Sequence, residues 1–307
     1  MFEHLLSKEA LALRAEVRDL VKWVPRDMIL DMDHDRIQFP KEFLKEAGRR
    51  NLMGCRYPVQ WGGRGLDWVT TAMVMEEVGT LGYIFACVFG VGAELVCDAI
   101  VLHGTDRQRE KYVKPLLKGD RFAAECLTEP RGGSDFFGTT TTAVRQGGDY
   151  ILNGQKRFIV GAEGADFFLV YARTDPDAEP HKALTCFVVD RGPGVETKYL
   201  YNLMGCRGGG AGRLVFKDVR VPAENIVGYH VHRSTDGIAF QQVTTQPVVG
   251  TSFTDDGLTT DTRYYALSLA YRGAGAPSSP LSANSNVIDA LPDTDGDGDP
   301  DVTDPDD

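Results

Sequence analysis

Residues 122–136 read Phe122-Ala-Ala-Glu125-Cys-Leu-Thr128-Glu-Pro-Arg-Gly-Gly-Ser134-Asp-Phe136. Upstream of this stretch apolar residues recur every three or four positions; from Phe122 onward they alternate. A change of hydrophobic period from 3.6 to 2 is a change from helix to strand. The stretch is the seam between an all-α region and an all-β region, and its own composition carries chemistry. A strand ends in a hydroxyl residue, a Pro-Arg-Gly-Gly turn follows, and a second hydroxyl comes next. Such a loop presents backbone N–H groups, two hydroxyls and glycines that let a ligand approach the backbone closely. That suits a planar polar ring or a phosphate, and it also suits a plain turn.

Before the seam, Leu6, Ala10, Leu13, Val17, Leu20, Val21 and Val24 fall on one helical face, and Pro25 stops the run. A second helix opens at Pro40, and two more are expected over about 67–81 and 84–102. Thr105 and Gln108 have capping-box spacing for a helix ending near Gly119. After the seam, strands are expected at 122–127, 139–145, 149–153, 155–160, 167–173, 184–190, 194–199 and 213–219. Asn153-Gly154, between two apolar runs, predicts a tight hairpin. Short strands at this spacing predict a small antiparallel barrel or sandwich.

Residues 289–307 hold nine Asp and no Lys or Arg, so most of the net charge of −11 belongs to this tail. The body is close to neutral and has no basic face for nucleic acid. No run of eighteen uninterrupted apolar residues predicts a membrane span. The six cysteines are scattered without metal-ligand spacing, as expected of free thiols in a reducing, cytoplasmic setting; a disulfide framework or a metal site stays open.

The seam resembles the signature of the acyl-CoA dehydrogenase family. Further matching segments follow in family order. They are Gly104-Thr-Asp-Arg-Gln-Arg-Glu-Lys-Tyr112, Tyr150-Ile-Leu-Asn-Gly-Gln-Lys156-Arg-Phe-Ile159, Gly164-Ala-Asp166, Met204-Gly-Cys-Arg207 and Phe216-Lys-Asp-Val-Arg-Val-Pro222. The resemblance covers 1–228. It implies a multidomain α+β chain, with a helical domain at 1–121 and a β-barrel domain at 122–228. It also implies FAD, an acyl-CoA substrate oxidised at its α,β bond, and an electron-transfer flavoprotein or similar acceptor. By resemblance, Leu127, Thr128, Gly133, Ser134, Phe158 and Val160 would bind the cofactor, and Ser134 and Arg207 the substrate. Phe158 reads equally as a core residue, and Arg207 as a surface ion-pair partner. At Val160 many members have Thr, and at Gly208-Gly-Gly210 relatives have Ser and Thr.

Beyond Gly228 the family continues into a helical bundle that carries the catalytic base, so no catalytic residue is assigned, and an impaired or truncated enzyme is expected. Residues 229–288 instead resemble part of a fibronectin type III sandwich. Leu258 and Tyr264 have the spacing of a tyrosine corner. Asp293, Asp295, Asp297, Asp299, Asp301 and Asp304, with Gly298 between, have the spacing of an EF-hand or thrombospondin type 3 loop, which predicts Ca²⁺. The alternative expectation is a chimera, a non-enzymatic fusion whose working parts are this β-sandwich and its calcium loop.

Overall fold

The computed structural model describes residues 6–177 and 183–227, together with the strand segments 230–234, 241–242, 263–268 and 287–290. The backbone divides into two compact units, Met1–Val101 with Asp106–Ile226, and Leu102–Thr105 with Val227–Asp307.

The first unit begins with helices. They are α1 (Lys8–Trp23), α2 (Arg26–Asp33), α3 (Lys41–Arg49), α4 (Trp68–Gly79), α5 (Tyr83–Gly90), α6 (Cys97–His103) and the short α7 (Asp106–Gln108) and α8 (Lys114–Leu117). Ser7 caps α1 by accepting from the Ala10 N–H at 3.1 Å, and Asp67 caps α4 by accepting from Thr70 N–H at 2.8 Å. The predicted stripe of α1 is buried at Ala10, Leu13, Val17 and Leu20. Sequence reading missed α2. Pro25 ends α1 and also stands as the N-cap of α2, because a fixed φ that breaks one helix suits the entrance to the next.

Between α5 and α6 the helix widens into a π-helical turn, Val91–Val96, which lies against the start of the β domain. Tyr83–His103 is long and apolar enough, by length and composition alone, to cross a membrane; 61% of its most apolar stretch is buried within the fold. Aromatic packing of Phe43 on Phe85, 5.1 Å between ring centroids, joins α3 to α5.

The β domain has strands β1 (Ala123–Cys126), β2 (Thr142–Gln146), β3 (Asp149–Ile159), β4 (Phe167–Arg173), β5 (Leu184–Asp190), β6 (Val195–Leu200) and β7 (Gly212–Pro222). They form one curled seven-stranded sheet in the order β1-β4-β2-β3-β7-β6, with β5 on β4. Its inner face buries Ala124, Cys126, Leu152, Phe168, Phe187, Leu214 and Phe216, each large side chain contributing about 1.5–3 kcal/mol. The expectation of a wholly antiparallel domain is corrected, since β1 runs parallel to β4 and β2 meets β4 in parallel at Thr142↔Arg173. A parallel partner frees the end of β1 from a hairpin, so the loop after it can face outward.

The hairpin expectation is corrected too. Asn153 and Gly154 lie inside β3, and the β2–β3 reversal is made by Gly147-Gly148, with Gln146 paired to Asp149. Asn153-Gly154 forms a bulge instead, where the register against β7 shifts. Only glycine fits there, because a Cβ would lie 2.5 Å from Thr141 Oγ1. The helical and β parts are pinned by Asp190, which accepts from Tyr112 Oη at 2.8 Å and pairs with Lys111 and Arg121 at 2.9 and 2.8 Å.

In the second unit β8 (His230–Ser234), β9 (Gln241–Gln242), β10 (Arg263–Ser268) and β11 (Val287–Ala290) form an antiparallel sheet ordered β11-β10-β8-β9. Tyr265 is registered with Arg233 and with Ile288. The rest of the expected sandwich, Leu258 of its tyrosine corner and the whole Asp293–Asp304 calcium loop lie outside the described residues.

Candidate functional site

The end of β1 is held from beneath by charge. Lys156, fully buried on β3, donates to the Leu127 carbonyl at 3.2 Å and pairs with Glu129 Oε1 at 3.0 Å. Glu129 also accepts from Thr140 N–H at 2.7 Å, Thr140 Oγ1 at 2.6 Å and Thr141 N–H at 2.9 Å. Burial alone would raise the Glu129 pKa; these donors and the Lys156 ammonium outweigh it and hold the carboxyl at about 2. Burial pulls the Lys156 pKa down, with Glu129 opposing. Glu129 N–H and Gly132 N–H each donate to the other's carbonyl at 3.1 Å, which closes the Pro-Arg-Gly-Gly turn.

That turn brings Gly133 against Thr128, since a Cβ at Gly133 would sit 3.0 Å from Thr128 Oγ1. The Thr128 carbonyl accepts from Arg157 N–H at 2.8 Å. The loop after β1 and the end of β3 are therefore one site. Leu127, Thr128 and Val160 are half-buried, and Ser134 is exposed.

Phe158 has φ +57°, and the register against β7 shifts between Lys156 and Ile159. The backbone twist lets Lys156 and Ile159 both point inward and leaves the Phe158 ring 44% exposed. Of its two sequence readings, the structure removes the core one. Tyr201 packs on the ring at 4.6 Å, and the Arg157 guanidinium stands 4.4 Å from its centroid. Arg157 Nε is buried and has no hydrogen-bond partner among the described residues.

Residues 7–120 match the acyl-CoA dehydrogenase N-terminal domain and 124–219 the acyl-CoA dehydrogenase middle domain. The chain belongs to the acyl-CoA dehydrogenase family. It is 34% identical over 228 residues to mitochondrial isovaleryl-CoA dehydrogenase of Pongo abelii, covering 73% of this chain and 54% of the relative. Among solved structures it resembles acyl-CoA dehydrogenase from Geobacillus kaustophilus, with 30% identity, TM-score 0.69 and coverage of 73% and 59%. It also resembles acyl-CoA dehydrogenase complexed with FAD from Bacillus anthracis, with 32% identity, TM-score 0.66 and coverage of 73% and 38%. The chain spans a little over half the length of the curated relatives it matches.

In this acyl-CoA dehydrogenase domain pair, Arg207 is drawn to the helical domain. Its guanidinium pairs with Asp35 at 2.6 Å and donates to the Asp33 carbonyl at 3.4 Å. A polar cavity of about 250 Å³ opens beside that pair, lined by Asp35, Gln38, Tyr201, Asn202 and Cys206. A Cβ at Gly209 would meet the Ile84 side chain, which would have to shift. The loop is held by its backbone, with Gly161 N–H donating to Gly209 O at 2.9 Å.

Glu125 is half-buried and accepts from Tyr171 Oη at 3.1 Å; burial raises its pKa, the Tyr171 bond opposing. The sequence reading quoted Glu129, Lys156 and Arg157 without assigning them a role, and it did not single out Tyr201. No local signal set Lys156 apart, since β3 also carries Asp149, Asn153, Gln155 and Arg157. The six tail aspartates proposed as metal ligands are outside the described residues, and among the described residues no cluster of metal-ligating side chains occurs.

Proposed function

We propose that this chain binds FAD at the β1–β3 site and serves the α,β-dehydrogenation of an acyl-CoA thioester to its trans-2-enoyl-CoA. Leu127, Thr128, Gly133, Ser134, Phe158 and Val160 hold the cofactor, and Ser134 and Arg207 face the acyl-CoA. When bound, FAD would accept the β-hydride, and the α-proton would pass to a carboxylate base of the kind the family carries in its helical bundle. The protein residues bind and orient. Thr128 gives a hydroxyl and a backbone donor, Phe158 gives a ring face, and Arg157 brings a positive charge to that ring. An electron-transfer flavoprotein or similar acceptor then reoxidises the enzyme. Six free cysteines support a reducing, cytoplasmic setting.

The observation that carries this reading is the 2.8 Å bond from Arg157 N–H to Thr128 O, which sets the hydroxyl loop beside the exposed Phe158 ring. The test is to mix the full chain with FAD and pass it over a sizing column. Flavin absorbance should travel with the protein; flavin eluting only as the free compound refutes the assignment.

A second reading has its own observation, the four-stranded antiparallel sheet of β8–β11. It makes the second unit an extracellular-type sandwich with a calcium loop in a non-enzymatic fusion. Calcium-dependent thermal stabilisation with no flavin uptake would favour it.

A further inference from the structure

We infer that the buried Glu129–Lys156 pair is a positioning device, which turns the Thr128 N–H out of the β domain to serve as a ligand donor. The inference rests on the flavin-site reading for the identity of the ligand, but its geometry stands on the loop itself.

Lys156 is fully buried and its counter-ion nearly so. Such a pair is a weak device for stability, since apolar residues of similar volume often do as well. Its hydrogen bonds suggest another role. The Leu127 carbonyl points at the Lys156 ammonium, 3.2 Å away. In a trans peptide the N–H lies opposite the preceding carbonyl, so the Thr128 N–H points away from the buried charge.

The flanking groups are already engaged. Thr128 O accepts from Arg157 N–H at 2.8 Å, and Glu129 N–H donates to Gly132 O at 3.1 Å. Thr128 N–H is thereby singled out on the side opposite Lys156, beside its own hydroxyl, which lies against Gly133. The ammonium also polarises the Leu127–Thr128 peptide, which strengthens that N–H as a donor. The ligand chemistry it suits is a carbonyl oxygen or ring nitrogen at the edge of a planar heterocycle. Glu129 completes the device from the other side. Its three bonds to Thr140 and Thr141 fix the carboxylate that in turn fixes Lys156.

The test is the double variant Glu129→Gln with Lys156→Met in the full chain. Gln keeps one acceptor oxygen, enough for the Thr140 donors or for Thr141 but not for both, and Met replaces the lysine stem, so the double variant is expected to fold with a modest loss of stability, read from its denaturant midpoint. The first readout needs no flavin: the residual dipolar coupling of the Thr128 N–H in the aligned, ¹⁵N-labelled chain. It should change in the double variant while the couplings of Ala143 and Val215 hold. The second readout is FAD affinity, expected to fall about five- to tenfold, the loss of one well-aligned donor. An unchanged Thr128 coupling overturns the proposal, whatever flavin does. A changed coupling supports it. If the wild-type chain takes up no flavin, the cofactor reading fails while the coupling still decides the positioning role. Should the double variant not fold, Lys156→Arg puts the charge on a longer planar fork and is read by the same coupling with the same two outcomes.

Discussion

The β domain buries Glu129 beside Lys156, and the helical domain buries Glu94 beside Arg56. The two carboxylate side chains are only 3% and 13% exposed, and each has a cation at 2.9–3.0 Å. Their titration is opposite. Glu129 is held at about 2, whereas burial lifts Glu94 to about 7 against the pull of Arg56, with Asp98 pushing it the same way. The difference lies in the number of donors per charge. Glu129 has three bonds from Thr140 and Thr141 and a lysine to itself. Glu94 shares Arg56 with Asp98, whose Oδ1 lies 2.5 Å from Nη2, and burial raises Asp98 as well. Arg56 is also claimed by the ring of Trp68, 3.9 Å from its guanidinium, and by the Tyr57 hydroxyl at 2.7 Å. A counter-ion alone does not keep a buried carboxylate charged; its remaining lone pairs must be filled.

The hardest test of this comparison is Lys156→Met alone. It strands a carboxylate that three other donors hold in its charged form, and should cost about 3–5 kcal/mol at neutral pH by urea denaturation. A loss below about 1 kcal/mol would mean that the threonine donors suffice and the lysine is dispensable.

Arg56→Met is expected to cost about 3 kcal/mol at pH 8 and much less at pH 5, because Glu94 and Asp98 can then take up protons. Equal losses at both pH values would break the comparison, since both carboxylates would have to stay charged. In the wild type the two groups act with opposite sign. The folded pKa of Glu129 lies below its ordinary 4.5, so its contribution is present above that value and lost as pH falls toward 2. The folded pKa of Glu94 lies above 4.5, so its contribution is present below 4.5 and lost as pH rises through about 7. Each is on the order of 3 kcal/mol. A stability profile that falls on both sides of the mildly acidic range would agree, and a profile still rising from pH 6 to pH 8 would contradict the Glu94 half.

Much of the frame could be read before any coordinates. The period change at Phe122 marked the start of β1, the stripe of α1 named its buried face, and the Pro-Arg-Gly-Gly run marked the turn that Glu129 and Gly132 close. What stayed hidden depended on distance in sequence or on broken periodicity. Glu129 and Lys156 are 27 residues apart, and Arg56 and Glu94 are 38 apart, so neither pairing has a local signature. The bulge at Gly154 and the positive φ at Phe158 each shift the alternation of β3, which is why a buried lysine and an exposed phenylalanine sit where a strict period of two would not put both. Gly147-Gly148 and Asn153-Gly154 are both plausible turns, and the pairing of β2 with β3, Gln146 opposite Asp149, decides for the first.

The mildest and most discriminating substitution is Glu94→Gln. Glutamine keeps the volume and can still accept from Arg56 Nε, which lies 2.9 Å from Glu94 Oε2. It removes the group that must lose a proton near pH 7, and it leaves Arg56 to neutralise Asp98 alone. Above pH 7 the wild type carries two buried carboxylates on one guanidinium, whereas the variant carries one. The variant should therefore be about 1 kcal/mol more stable than wild type at pH 8 and nearly unchanged at pH 5, read from denaturant midpoints. The same exchange at Glu129, where the charge is fully bonded, should destabilise at both pH values. If both substitutions move stability in the same direction at pH 8, donor count is not what separates the two clusters.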